Sequence, residues 1–301
     1  MSSLAIVGIF YDGYEDIWRD FVNIFNKFWI DCPYNLYIVN SELKIENDSN
    51  YNLDRIKVLH AGKGTEYSKK VKYAIDNIEE DYFLLLLEDF FFGLDRNIER
   101  INYIFDFILK NHIDYYSMPM KQFVFRKAKV KYGSEKDVYK ISPTKQYIYN
   151  CQPTIWNKEY LKLLIGDGNY NAWVFEGVYS CDSFIRNKDY LKYSVIDYSN
   201  PFNILHGAVQ GKFVRRTVKY FLKNGYHFTS KREQISRYKT FKAFISYHLR
   251  IFLSYIHLLQ IIRKFYGKSV LNKYDTEIKK ESSNLLNKEK FDNFYKNKTG
   301  M

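Results

Sequence analysis

The stretch Asp81–Gly93, DYFLLLLEDFFFG, decides how this chain is read. It sets two adjacent acids, Glu88 and Asp89, between four leucines and three phenylalanines. A buried carboxylate pair is costly unless something positive or hydrogen-bonding meets it. The pair therefore marks either the point where a buried strand leaves the core and opens into a site, or a strand end whose acids face solvent or a lysine. Spacing alone leaves both readings open.

Working outward, apolar runs alternate with helical patterns over the first 120 residues. LAIVGIF (4–10), NLYIVN (35–40), RIKVLH (55–60) and YFLLLLE (82–88) read as strands. Between them, EDIWRDFVNIFNKFW (15–29) carries Ile17, Phe21, Ile24, Phe25 and Phe28 at helical spacing. TEYSKKVKYAIDNI (65–78) does the same with Val71, Ala74, Ile75 and Ile78, and IERINYIFDFILKN (98–111) is a third helix. This alternation predicts an α/β fold of Rossmann type, with a mostly parallel sheet joined by right-handed crossovers and flanked by helices. Strands that are apolar throughout suit a sheet covered on both faces. Short Lys- and Tyr-rich pieces between Met118 and Asn150 predict antiparallel strands. NKEYLKLLI (157–165) reads as a helix, NAWVFEGVYSCDSFIRN (171–187) as a loop entering one, and the polar tail from Asp275 as helical or loosely ordered.

With 46% hydrophobic and 19% aromatic residues, the 301-residue chain can build a sizeable core, which excludes global disorder. Cys32, Cys151 and Cys181 are odd in number and far apart, so neither a zinc ribbon nor a disulfide framework is indicated, and a reducing cytoplasm fits. The opening MSSLAIVGIFYDGYED lacks the basic start of a signal peptide, and its apolar piece is strand-sized. The net charge of +12 is uneven: from Gly211 to Lys273 fifteen Lys and Arg stand against one acid, Glu233. Within that basic third, Phe244–Ile262 places Ser246, Arg250, Ser254 and His257 on one narrow helical stripe opposite a wide apolar arc. Arg250 near its centre argues against a membrane span. Such a helix lies on an anionic membrane surface or packs against the protein's own body, and both readings stand. Clustered charge interleaved with Tyr and Phe also permits RNA binding, but no RNA-binding signature appears and no nucleic-acid partner is expected.

Four places invite a chemical reading, and three keep it. Glu88 and Asp89 follow a strand, where ligands of parallel sheets gather, and carboxylate oxygens suit a hard divalent cation bridging phosphates. LHAGKGTEYSKK (59–70) lacks the spacing of a phosphate loop, so Gly62 and Gly64 read as turn residues. Glu176, in NAWVFEG, has apolar neighbours that could raise its pKa toward that of a general base, or it is an ordinary acid at a helix start. NILHGAVQGKFVRR (203–216) joins His206 to Lys212, Arg215 and Arg216, a set able to face a metal, phosphates or lipid headgroups; a lone histidine is more often structural.

Taken in order, EYSKKVKYAIDNIEEDYFLLLLEDFFF, QPTIWNKEYLKLL, WVFEG and HGAVQGKF resemble bacterial glycosyltransferases of the GT-A type, enzymes of capsule and O-antigen biosynthesis. The resemblance covers roughly residues 4–216. It implies a GT-A-like nucleotide-sugar-binding and catalytic domain over 1–212, followed by a basic, amphipathic helical region over 213–301. It implies transfer of a sugar (EC 2.4) from a nucleotide sugar to a hydroxyl of a growing, polyprenyl-diphosphate-linked surface glycan, with inversion. Asp89 would then match the last acid of a DxD-like metal motif and Glu88 its middle residue, while Leu87 stands where the first acid belongs. Asp12, Glu88, Asp89 and Lys212 would contact the nucleotide sugar. Asp89 and His206 would hold Mn2+ or Mg2+, and Glu176 would be the base, with Asp182 the alternative. The implied location is cytoplasmic, peripheral on the inner face of the inner membrane. Two competing readings are a non-catalytic basic protein binding membrane or nucleic acid, and a GT-A-like fold that has lost catalysis.

Overall fold

The computed structural model describes residues 3–44, 52–120, 124, 128–142, 148–181, 190–255 and 273–299. Its frame is an eight-stranded sheet in the order β3-β2-β1-β4-β8-β6-β9-β7. The four strands read from the sequence, β1 (Leu4–Ile9), β2 (Leu36–Asn40), β3 (Ile56–His60) and β4 (Tyr82–Leu87), are all parallel. The expected mixed α/β, mostly parallel architecture is therefore present. Beyond β4 the sheet continues through β6 (Tyr115–Ser117), β7 (Val138–Lys140), β8 (Thr154–Asn157) and β9 (Ser194–Asp197). Of these, β8 and β7 run antiparallel to their neighbours, while β6 and β9 pair parallel.

Helices cover both faces, as apolar strands require. On one side α1 (Glu15–Phe28) lays Ile17, Trp18, Phe21, Val22, Ile24 and Phe25 against the sheet, joined by α3 (Ile98–Lys110). On the other lie α2 (Tyr67–Asn77), α4 (Lys158–Ile165) and α5 (Ala172–Cys181). Asn caps start two of these helices where the sequence turns polar: Asn97 Oδ1 accepts from Arg100 N, and Asn157 Oδ1 from Tyr160 N.

The phenylalanines after Asp89 form a strand, a pairing that the sequence reading did not contain. β5 (Phe90–Phe92) pairs antiparallel with β10 (Ile204–His206) as a small second sheet, with Phe90 opposite His206. All three rings are buried, and Phe92 packs edge-on against Trp29 at 5.0 Å between centroids. A short hairpin, β11 (Ala208–Val209) and β12 (Lys212–Phe213), follows at once. Gly207 is required at the join, because a Cβ there would stand 2.3 Å from the Phe91 ring.

The basic third begins inside the core. Phe213, Val218 and Phe221, the last two on α6 (Arg215–Lys223), share the apolar cluster of α1 and β5 with Tyr226. Asp20 of α1, fully buried, accepts from Tyr226 Oη at 2.7 Å, Thr229 N at 2.7 Å and Ser230 N at 3.2 Å. Next comes α7 (Arg237–Tyr255), where Tyr238, Phe241, Ile245 and Leu249 are exposed at near-helical spacing. The continuation of the amphipathic segment, Ile256–Ile262 with His257, lies outside the described residues. The polar tail is helical, as α8 (Asp275–Leu285) and α9 (Lys288–Thr299), and buries Ile278, Leu285 and Phe291 against the α5 face.

Candidate functional site

β1 and β4 end in register, Ile9 beside Leu87, so the segments after them leave the sheet at the same carboxyl edge. Parallel sheets gather ligands outside such an edge. Glu88 follows β4 and stays buried, whereas Asp89 turns out toward β10. The pairing of β5 with β10 brings His206 back to it: His206 Nε2 lies 3.0 Å from Asp89 Oδ2, and Gly207 N donates to the Asp89 carbonyl at 2.6 Å. The other carboxylate oxygen, Asp89 Oδ1, is buried and has no hydrogen-bond partner among the described residues.

Burial first, and the neighbouring Asp89 second, push Glu88 up to about 8, with Lys70 pulling the other way. Glu88 therefore holds its proton near neutrality, which relieves the repulsion between the two acids. Lys70, on α2, is itself buried, and burial lowers its pKa against the pull of Asp12 and Glu88. Its Nζ donates to the Phe10 carbonyl at 2.9 Å, fixing the exit of β1. Because the folded pKa of Glu88 lies above its ordinary value of 4.5, the folded state binds the extra proton. The stability this supplies is complete below pH 4.5 and is lost as pH rises toward about 8. In metal-free buffer, the urea midpoint of the wild type should fall across that window relative to Glu88→Gln; parallel curves would refute the assignment.

Asp12 serves the loop beside the site. Its carboxylate accepts from the backbone N–H groups of Ser41, Glu42 and Leu43 at 2.8, 3.0 and 2.9 Å. Burial opposes ionisation there, but these bonds and Lys70 outweigh it and hold the pKa below the usual value. The exits of β1 and β2 are thereby tied together. Gly62 and Gly64, at φ of 99° and 71°, shape the turn after β3, as their sequence setting implies. Lys212 pairs its ammonium with Glu233, the lone acid of the basic segment.

Glu176 reaches the same edge from the other side of the sheet. Asn171 Oδ1 accepts from Trp173 N and Val174 N, so α5 starts before Glu176 and places it in the second turn, not at a helix start. Its Oε1 accepts from Cys151 N at 2.8 Å, just ahead of β8, whose Thr154 stands opposite Leu85 of β4. Cys151 shares this corner with Tyr67; burial, then Glu176, push its thiol well above the usual range. Asp182 lies outside the described residues.

Two functional-looking residues escaped the sequence reading. Lys70 had a signal, since it falls on the inward stripe of Tyr67, Val71 and Ala74, where a lysine is out of place. Arg232 had none. Its guanidinium grips Asp16 through Nε at 2.6 Å and Nη2 at 2.7 Å. It also donates to Gly13 O and Gly211 O and stacks 4.1 Å from the Tyr14 ring centroid. One side chain thus holds the loop after β1 to the hairpin after His206.

Among the described residues no three His, Cys, Asp or Glu side chains converge on one point. Asp89 and His206 are a pair, and the unpartnered buried Oδ1 beside them is the kind of oxygen donor that a hard divalent cation would take.

No protein-family model matches the chain, and no curated protein does. Solved structures similar to it include S. aureus TarS, at 16% identity and a TM-score of 0.40, covering 67% of this chain and 36% of that one. A shorter TarS structure in complex with UDP-GlcNAc gives 16%, 0.39, 71% and 60% in the same order. A structure of the galactosyltransferase LgtC with donor and acceptor sugar analogs gives 12%, 0.35, 65% and 87%. The chain spans between 36% and 60% of the length of the TarS chains it matches.

Proposed function

We infer that this protein is a GT-A-type glycosyltransferase that moves a sugar from a nucleotide-sugar donor to a hydroxyl of a lipid-linked surface glycan. The observation that carries the reading is Asp89, held beside His206 with its second oxygen buried and unpartnered, at the edge where Glu176 also arrives. Asp89 and His206 would hold Mn2+ or Mg2+ with the donor diphosphate. A cation held there would supply positive charge against that growing on the departing diphosphate. Glu88, in its protonated form, leaves that subsite less negative than two ionised acids would. Lys70 and Asp12 keep the loops after β1 and β2 in place, and Arg232 keeps the loop after β1 against the hairpin.

In the transfer itself, the acceptor oxygen forms a bond to the anomeric carbon as the bond from that carbon to the diphosphate oxygen breaks. The acceptor proton passes to Glu176, and nucleoside diphosphate leaves. A single base on the face opposite the leaving group gives inversion. Thermal-shift measurements with UDP, GDP, ADP and CDP, each with and without Mn2+ or Mg2+, test the donor site. A cation-dependent rise in Tm with at least one nucleotide is expected; no response to any, alongside tight salt-sensitive RNA binding, would favour the non-catalytic reading.

The acceptor is proposed to lie at the inner membrane surface, with the chain cytoplasmic and peripheral. No helix among the described residues is long and apolar enough to cross a membrane. On α7 the exposed Tyr238, Phe241, Ile245 and Leu249 run beside Arg237, Lys239 and Lys242, the mixture that anionic interfaces attract. Flotation with phosphatidylglycerol vesicles should recover the protein, and neutral vesicles or the double variant Ile245→Asp, Leu249→Asp should not. Equal recovery on both vesicle types would refute the electrostatic part.

A further inference from the structure

Three of the four tryptophans, Trp18, Trp29 and Trp156, are at most 1% exposed, but Trp173 is 48% exposed. Leaving so large an apolar ring in water forfeits burial that every other tryptophan takes. Nor is the ring on a loose loop. The Asn171 cap fixes the first turn of α5, and Val174, Phe175, Val178 and Tyr179 anchor the helix by their burial. Trp173 is exposed while Ala172 and Glu176 are half-buried, and the three-residue step from Trp173 to Glu176 puts ring and carboxylate side by side.

The strand-side neighbour adds a third group. Glu176 accepts from Cys151 N, and the next residue, Gln152, has a buried side-chain oxygen, Oε1, without a hydrogen-bond partner among the described residues. A buried amide oxygen left unpaired costs free energy that a hydroxyl donor from a ligand would recover. A flat apolar ring, a carboxylate and an unpaired amide oxygen are complementary to a pyranose, whose ring face carries C–H groups and whose rim carries hydroxyls. Lipid tails would leave the Gln152 oxygen unanswered, and a phosphate would meet the Glu176 carboxylate.

We propose that Trp173, Glu176 and Gln152 form a carbohydrate subsite that binds the acceptor sugar, with Trp173 as its stacking platform. Its assignment to the acceptor rests on the transferase reading above. The donor diphosphate belongs with Asp89 and His206 at the end of β4, and this cluster lies at the start of β8, the neighbouring strand on the same edge. A sugar stacked on Trp173 would present a hydroxyl to Glu176.

Tryptophan fluorescence tests this directly, because Trp173 is the one exposed reporter of the four. The probes are octyl glycosides of glucose, galactose, mannose and N-acetylglucosamine, with acrylamide as quencher. At least one glycoside should protect wild-type fluorescence from acrylamide, and the protection should vanish in Trp173→Phe. By isothermal titration calorimetry, which needs no tryptophan reporter, Trp173→Ala should weaken binding of that glycoside about tenfold, Trp173→Phe less, and Gln152→Leu several-fold. No protection by any glycoside, or equal affinity in Trp173→Ala, would overturn the subsite. So would protection that grows with protein concentration alone, which would mean that a second copy covers the ring. Nucleotide binding without glycoside protection sinks the subsite and spares the transferase; glycoside protection without nucleotide binding keeps the subsite and sinks the transferase.

Discussion

Asp89→Asn is expected to lower sugar transfer about 10²–10³-fold, the usual cost of removing one group that stabilises charge in a transition state. The substitution keeps the shape of the side chain, so one oxygen can still meet His206 Nε2 and the Gly207 amide bond to the Asp89 carbonyl is untouched. What it removes is negative charge at the buried, unpartnered Oδ1 position. It also removes the neighbour that helps to raise Glu88, so the pH-dependent loss of stability above pH 4.5 should shrink. The variant should therefore unfold at the same Tm or higher while losing its cation-dependent response to nucleoside diphosphate. Transfer assays beside thermal shifts would show the split. Full activity with intact folding would remove Asp89 from the site, and loss of both folding and activity would make it structural.

The first half of the fold was legible because each of its signals is local. Four apolar runs of strand length, alternating with helical stripes, leave few topologies once crossovers are right-handed. β6, β8 and β9 were harder, since YYS, TIWN and SVID are three or four residues long and lack a period that separates them from loop. The most consequential miss was FFF at 90–92. A three-residue strand acquires its identity from its partner, and that partner, ILH at 204–206, lies more than a hundred residues away.

The same distance limits what the sequence could say about the site. Glu88 and Asp89 were visible as acids at a strand end, but their division of labour depends on Lys70, Phe10 and His206 arriving from three other elements. Asp12 read as a nucleotide contact, and nothing local in the sequence shows that three amides of the loop after β2 donate to its carboxylate. Capping by Asn171 moves Glu176 into the second helical turn, a shift that the NAWVFEG motif hints at only through its asparagine. Arg232 stands beside Glu233 in a strongly basic run, where composition alone makes it one cation of many.

Glu176→Gln is the second large effect. A positioned general base contributes about 10²–10⁴-fold to rate, so kcat should fall by that factor at neutral pH while the KM for donor changes little. The glutamine keeps an oxygen able to accept from Cys151 N, so the corner formed by Tyr67, Cys151 and the start of β8 should survive. Circular dichroism and Tm should match the wild type, which separates a chemical role from a structural one. Donor hydrolysis offers a further discrimination, because an attacking water can pass its proton to bulk solvent, whereas a bound acceptor hydroxyl that faces Glu176 depends on that carboxylate. Transfer should drop far more than hydrolysis in the variant, and raising the pH should restore part of the transfer as the acceptor ionises unaided. If transfer and hydrolysis fall together, Glu176 acts by holding Cys151 and β8 in place rather than by taking the proton. If neither falls, the base lies elsewhere on the carboxyl edge, and the orientation of the acceptor across α5 falls with it.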